Sequence, residues 1–230
     1  MTSISERLQA VTERLHMAEN AAGRAPGSVA LVAVSKTQPA DAIREAYAAG
    51  QHSFGENYLQ EALEKMAALA DLPLEWHFIG PIQSNKTRPI AEHFDWVHGV
   101  DRLKIAQRLS DARPVDLAPL DICIEVNVSG EQSKGGVPPA EVRALADEVA
   151  KLPRLRLRGL MAIPAPTSDV ALQHGQFRML RELLESLKTA GHALDTLSMG
   201  MSDDFPVAIA EGATIVRVGT SIFGPRQYKN

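Results

Sequence analysis

Cysteine is almost missing from this chain. Cys123 is the only one in 230 residues, which excludes an intrachain disulfide and argues against a cysteine-built metal cage. Set in the apolar run Ile122-Cys123-Ile124-Glu125-Val126, its thiol is expected to be buried and structural. An excess of positive charge is missing too: 24 Lys and Arg stand against 28 Asp and Glu, for a net charge of −4. Nucleic acid and anionic membrane therefore feel no general attraction, and any anion has to be held by a local site. No apolar stretch reaches transmembrane or signal-peptide length, so a cytoplasmic location is expected. Repeats, low-complexity tracts and linkers are absent as well. Residues 1–230 are expected to form one domain, with 45% hydrophobic and 23% charged residues in the usual globular range.

What is present is an alternation of periods. Ile4, Leu8, Val11 and Leu15 recur at helical spacing and predict an N-terminal amphipathic helix. Eight short β-rich runs then follow: Val29–Val34, His52–Phe54, Glu75–Ile79, Trp96–Gly99, Asp121–Asn127, Leu155–Met161, Thr196–Ser198 and Ile215–Val218. Helix-period segments lie between them at 40–49, 57–69, 84–93, 101–111, 139–151, 172–190 and 203–211. Eight βα units in a chain of this length predict a (β/α)8 TIM barrel with an extra N-terminal helix. The run at 52–54 is short, and losing it or the seventh would leave an open sheet of six or seven strands. Pro164-Ala-Pro-Thr-Ser-Asp169 reads as a mobile loop.

In such a barrel the chemistry sits at the carboxyl ends of the strands. Val32-Ala-Val-Ser-Lys36-Thr puts a lysine at the end of strand 1. An ammonium there loses water unless it is paired or deprotonated, and a desolvated amine condenses readily with an aldehyde. A salt-bridged strand-end lysine is the plainer alternative. After strand 7 comes Ser198-Met-Gly200-Met201-Ser202-Asp-Asp; after strand 8, Gly219-Thr220-Ser221. Glycines let backbone approach a ligand, and hydroxyls with helix-starting N–H groups cradle a phosphate, whose habitual place in this fold is these two loops. Ordinary turns with helix caps at Ser202 and Thr220 would need the same residue types. Arg217 alternates with Val216 and Val218, so it faces the barrel interior if those valines face the helices. His77 could serve as a base, but packing and hydrogen bonding below the site is its expected role. Asp203 and Asp204 suit the negative first turn of a helix better than a catalytic pair.

Ala33-Val-Ser-Lys36-Thr, Phe54-Gly-Glu-Asn57-Tyr, His77-Phe-Ile-Gly-Pro-Ile-Gln-Ser-Asn-Lys86, Asn127-Val-Ser-Gly-Glu-Gln-Ser-Lys134-Gly, Gly159-Leu-Met161, Leu197-Ser-Met-Gly-Met-Ser202-Asp-Asp and Arg217-Val-Gly-Thr-Ser-Ile-Phe-Gly occur in this order. Together they closely resemble the pyridoxal phosphate homeostasis proteins of the YggS type. The resemblance implies a barrel like the N-terminal domain of alanine racemase, with pyridoxal 5′-phosphate (PLP) held as a Schiff base on Lys36. It implies phosphate contacts from Ser198, Ser202, Gly219 and Thr220, and Arg217 at the pyridine nitrogen. A permanently charged donor there keeps that nitrogen unprotonated and weakens the ring as an electron sink. Asn57, His77 and Met201 match pocket positions, whereas Lys86 and Lys134 match segments for which a surface or loop-anchoring role is as well supported.

Racemase-type chemistry needs acid–base groups on both faces of the substrate Cα. A second β-domain, which supplies a tyrosine to the racemase, is not expected here, and Tyr58 and Tyr228 have no nominating spacing. The expected function is a non-catalytic, monomeric PLP binder in vitamin B6 and amino-acid homeostasis, with apo PLP-dependent enzymes as acceptors. No nucleic-acid, membrane or metal partner is expected. A PLP-dependent racemase or lyase is the alternative, and a binder of another phosphorylated metabolite without an imine is a third.

Overall fold

The computed structural model describes residues 2–131 and 135–225. Eight parallel strands close on themselves in sequence order: β1 Ala30–Val34, β2 Ser53–Glu56, β3 Glu75–Phe78, β4 Trp96–Val100, β5 Leu120–Glu125, β6 Leu155–Met161, β7 Thr196–Ser198 and β8 Ile215–Val218. All eight runs read from the sequence are strands. The doubtful second one spans four residues and still pairs on both sides, Phe54 with Ala33 of β1 and with Trp76 of β3. Closure comes from β1 against β8, with Val32 beside Arg217 and Ala33 beside Val218.

Helices fill the crossovers: α2 Ala40–Ala48, α3 Leu59–Ala68, α4 Thr87–His93 after a 3-10 turn at Ser84–Lys86, and α5 Leu103–Ala112. Then follow α6 Val142–Val149, α7 Val170–Thr189, α8 Phe205–Ala210 and the one-turn α9 Thr220–Phe223. The N-terminal helix α1, Ile4–Ala21, starts at a capping box in which Ser3 and Glu6 satisfy each other's backbone N–H. It buries Ile4, Leu8, Val11 and Leu15 against α2, α8 and α9. Each such side chain contributes about 1.5–3 kcal/mol of transfer free energy.

Strand alternation separates two environments. Phe54, Phe78, Val97, Ile122, Leu160, Val216 and Val218 belong to the large core shared with the helices. Inside the barrel a small cluster of Val32, Trp96, Cys123, Met161 and Ile215 is interrupted by His77, His98, Ser198 and Arg217, all buried. The interior of this barrel is therefore markedly polar. Cys123 is completely buried there, and burial pushes its thiol far up.

Some boundaries differ from the expected ones. The eighth helix begins at Phe205 rather than Asp203, because Asp204 turns its Oδ1 back to accept from the Met201 N–H at 2.6 Å. The seventh begins two residues earlier than its apolar stripe, at a cap where the Asp169 carboxylate accepts from the N–H groups of Ala171 and Leu172.

Candidate functional site

A cavity of about 230 Å³ opens where β1 meets β8. It is lined by Val34, Lys36, Gln38, Met201, Ser202, Asp203, Arg217, Gly219, Thr220, Phe223 and Gly224. Six of the nine expected site residues thus share one wall system: Lys36, Met201, Ser202, Arg217, Gly219 and Thr220. Asn57, His77 and Ser198 do not line it. Of the remaining residues singled out by their segments, Lys86 is exposed and Tyr58 is 55% exposed. Lys134 and Tyr228 lie outside the described residues.

The register of β1 and β8 creates the juxtaposition. The register ends with Ala33 opposite Val218, and just beyond it a Cβ at Gly219 would stand 3.2 Å from the Val34 carbonyl oxygen and 3.3 Å from its Cβ. That tight approach brings the loop after β8 to the half-buried Lys36. Gly200, at φ +95° after β7, turns the chain to present Met201 and Ser202. A Cβ there would meet that of Ala208 at 2.7 Å. The hydroxyls of Ser202 and Thr220 cap no helix: the N-cap positions of α8 and α9 are Asp204 and Gly219, and neither makes a side-chain cap bond.

Lys36 sits between two anchored neighbours. The Ser35 N–H donates to the Gly55 carbonyl at 3.0 Å, the Ser35 hydroxyl donates to Glu56 Oε1 at 2.7 Å, and the Ser35 carbonyl accepts from Lys65 Nζ at 2.7 Å. Thr37 adopts φ +66°, unusual for a β-branched residue, while its N–H donates to Glu61 Oε1 at 2.6 Å. Lys65 completes the cluster with ion pairs to Glu56 at 2.7 Å and to Glu61. Burial raises the Glu56 carboxyl, and Lys65 and Ser35 pull it back. The backbone on both sides of Lys36 is thereby pinned by a buried ionic group.

Arg217 is buried, donating from Nη1 to Ser198 Oγ at 2.6 Å and from Nη2 to the Ala162 carbonyl at 2.9 Å. Desolvation lowers its guanidinium to about 10, against the attraction of Glu125, Cys123 and Asp204, so it remains a cation at neutral pH. Ser198 also bonds His98, and His77 bonds His98 and Glu75. His77 is thus an interior residue held by hydrogen bonds.

Sequence reasoning missed Gln38, His98 and the Lys65 cluster. Lys65 stands four residues after Glu61 on a helix, a spacing that reads as a surface pair; only the fold carries it beneath strand 1.

The cavity and its surroundings define a (β/α)8 barrel with an amine and a buried guanidinium at the carboxyl ends of its first and last strands. A family model described as alanine racemase, N-terminal domain, matches residues 7–227. The chain belongs to that family. Among its relatives, the pyridoxal phosphate homeostasis protein of Pseudomonas aeruginosa is 64% identical over 99% of this chain and 98% of that one. The protein of the same name from Escherichia coli is 53% identical, covering 99% of both. The solved structure of PipY from Synechococcus elongatus with PLP bound superimposes with a TM-score of 0.85 at 42% identity, covering 96% of this chain and all of that one. Alanine racemase from Corynebacterium glutamicum, 17% identical with a TM-score of 0.69 over 97% of this chain and 63% of its own, shares the fold.

Proposed function

We propose that this chain binds pyridoxal 5′-phosphate as a Schiff base on Lys36 and serves in intracellular vitamin B6 and amino-acid homeostasis, as a cytoplasmic monomer without strong catalytic activity. The observation that carries this reading is the single cavity in which Lys36 and Arg217 meet the loops of Ser202 and of Gly219–Thr220. An amine and a guanidinium, with two hydroxyls and a close-approaching glycine, fit an anionic aldehyde: Lys36 takes the aldehyde carbon, and Ser202, Gly219 and Thr220 hold the phosphate. Arg217 would serve the ring nitrogen as a donor and Met201 would line the pocket, while Asn57 follows the end of β2 outside the cavity lining. His77 and Ser198 act one layer below, through Arg217. When bound, PLP supplies an aldehyde that exchanges between amines and a ring that stabilises negative charge on the neighbouring carbon. A donor at the ring nitrogen weakens that second capacity, which favours holding over turnover.

The names of the full-length relatives and the PLP-bound PipY structure support the cofactor and the homeostatic role. Among the described residues, the groups lining the cavity that can move a proton are Lys36 and Asp203, a poor set for chemistry on both faces of a carbon. No helix among the described residues is long and apolar enough to cross a membrane, consistent with a cytoplasmic site of action. In this role the chain delivers cofactor to apo PLP-dependent enzymes.

The test is an absorption spectrum of the protein incubated with PLP, before and after borohydride reduction, with the modified residue mapped by mass spectrometry. Lys36 should carry the reduced adduct and Lys36→Ala should lose the imine band. A colourless protein with Lys36 unmodified sinks the reading. Exchange of an amino-acid Cα proton with solvent deuterium at enzymatic rates would replace the carrier by a racemase or lyase.

A further inference from the structure

A chain of side-chain hydrogen bonds crosses the barrel interior from the pocket to the opposite rim. Arg217 Nη1 meets Ser198 Oγ at 2.6 Å, Ser198 Oγ meets His98 Nδ1 at 2.7 Å, and His98 Nε2 meets His77 Nδ1 at 3.0 Å. His77 Nε2 meets Glu75 Oε2 at 3.0 Å, which also accepts from the Ser53 hydroxyl at 2.8 Å. The His77 ring stacks on Trp96 at 5.6 Å and 12°. Four strands contribute, β3, β4, β7 and β8.

With both imidazoles neutral, these groups permit one direction of donation. Arginine only donates, so Ser198 Oγ accepts from it, and the single serine proton goes to His98 Nδ1. His98 then carries its proton on Nε2 and donates to His77 Nδ1. His77 likewise carries its proton on Nε2 and donates to Glu75, a carboxylate with acceptor capacity only. Reversing the chain would point an unprotonated His77 nitrogen at that carboxylate, acceptor against acceptor, and would work only with a second proton on His77. A relay in this direction makes both imidazoles neutral Nε2–H tautomers. Burial and the Arg217 cation hold His98 well below the ordinary histidine value, and the His77 bond holds the Glu75 carboxyl down at about 2.

We infer that Glu75, His77 and His98 are positioning residues for Arg217: a polarised relay, anchored on a carboxylate at the amino-terminal rim, commits the Ser198 hydroxyl and so fixes the guanidinium that faces the cofactor ring. Without an acceptor at His98 Nδ1 the serine hydroxyl is free to rotate, and the Arg217 contact loses its fixed geometry. The inference rests on the PLP reading for its consequence, though not for the relay itself. Bonds in such a chain reinforce one another in a dry interior, which is why an end as distant as Glu75 can matter.

Two measurements on the full chain separate the relay from the cofactor reading. With histidine ring nitrogens labelled with nitrogen-15 and no ligand added, long-range proton–nitrogen spectra should show His77 and His98 as neutral Nε2–H tautomers; an Nδ1–H on either ring, or a doubly protonated His77 or His98 at neutral pH, overturns the relay. With PLP titrated in, His98→Leu should weaken binding by roughly tenfold, about 1.4 kcal/mol, and shift the bound absorption band. Glu75→Gln, which keeps an acceptor for His77, should retain the band. A folded His98→Leu protein with wild-type affinity and band refutes the positioning role. If His98→Leu fails to fold, Ser198→Ala is the second cut, and an unchanged band there refutes the role equally. If the wild type takes up no PLP, the positioning role falls with the cofactor reading, and the tautomers alone decide whether the relay exists.

Discussion

Replacing Lys65 with methionine removes an ammonium from beneath Lys36 while keeping most of the aliphatic stem. In the native protein that ammonium is 6% exposed and bonds Glu56, Glu61 and the Ser35 carbonyl. Its loss leaves Glu56, completely buried, with a bond from Ser35 to Oε1 and none to Oε2. Breaking one side of a buried ion pair costs about 3–5 kcal/mol. Proton uptake limits this cost: moving an unfolded-state carboxyl from near pH 4.3 to pH 7 costs about 1.36 kcal/mol per unit, or roughly 3.7 kcal/mol. The expected loss at pH 7 is therefore ~3–4 kcal/mol. The sign of its pH dependence follows from Glu56, which burial already raises and Lys65 lowers. Without Lys65 the folded-state carboxyl rises further, so the deficit should be small near pH 4 and grow as pH rises toward neutral. Urea unfolding of wild type and Lys65→Met at both pH values measures it, and Glu56→Gln/Lys65→Met should recover most of the loss. A deficit under about 1 kcal/mol at neutral pH, or one independent of pH, would refute the view that this cluster is held by charge.

Gly200→Ala should lower stability by about 1–3 kcal/mol, read as a fall in melting temperature, because the position is at φ +95° and the new methyl meets Ala208 at 2.7 Å; an unchanged melting temperature would show that the turn after β7 yields without cost. Cys123 should resist thiol reagents in native buffer and react only at the rate of unfolding, since its sulfur is wholly buried inside the barrel. Fast native labelling would contradict the closed interior.

Much of the fold is legible in the sequence. Period-2 runs separated by period-3.6 segments require βα units, and eight of them in one chain leave few architectures besides a closed barrel. The short run at 52–54 was ambiguous because three residues carry little pattern, and pairing on both sides decided it. Lys36, Ser202, Arg217, Gly219 and Thr220 were legible as site candidates because strand-end position is a matter of chain order. Boundaries such as the start of α8 were not, since a carboxylate bond to Met201 sets that one.

Sequence alone determined that the chain builds alternating strands and helices, that one lysine ends strand 1, and that glycine and hydroxyl residues follow strands 7 and 8. Those are properties of residues near one another along the chain, where backbone sterics and side-chain period act. Tertiary structure alone decided that Lys65, 29 residues after Lys36 in the chain, sits beneath its strand. It alone placed Ser198 between Arg217 and His98 and strung two histidines across the barrel to Glu75. Such arrangements depend on register and closure, which bring together side chains a hundred residues apart, and no local period encodes which of them will meet.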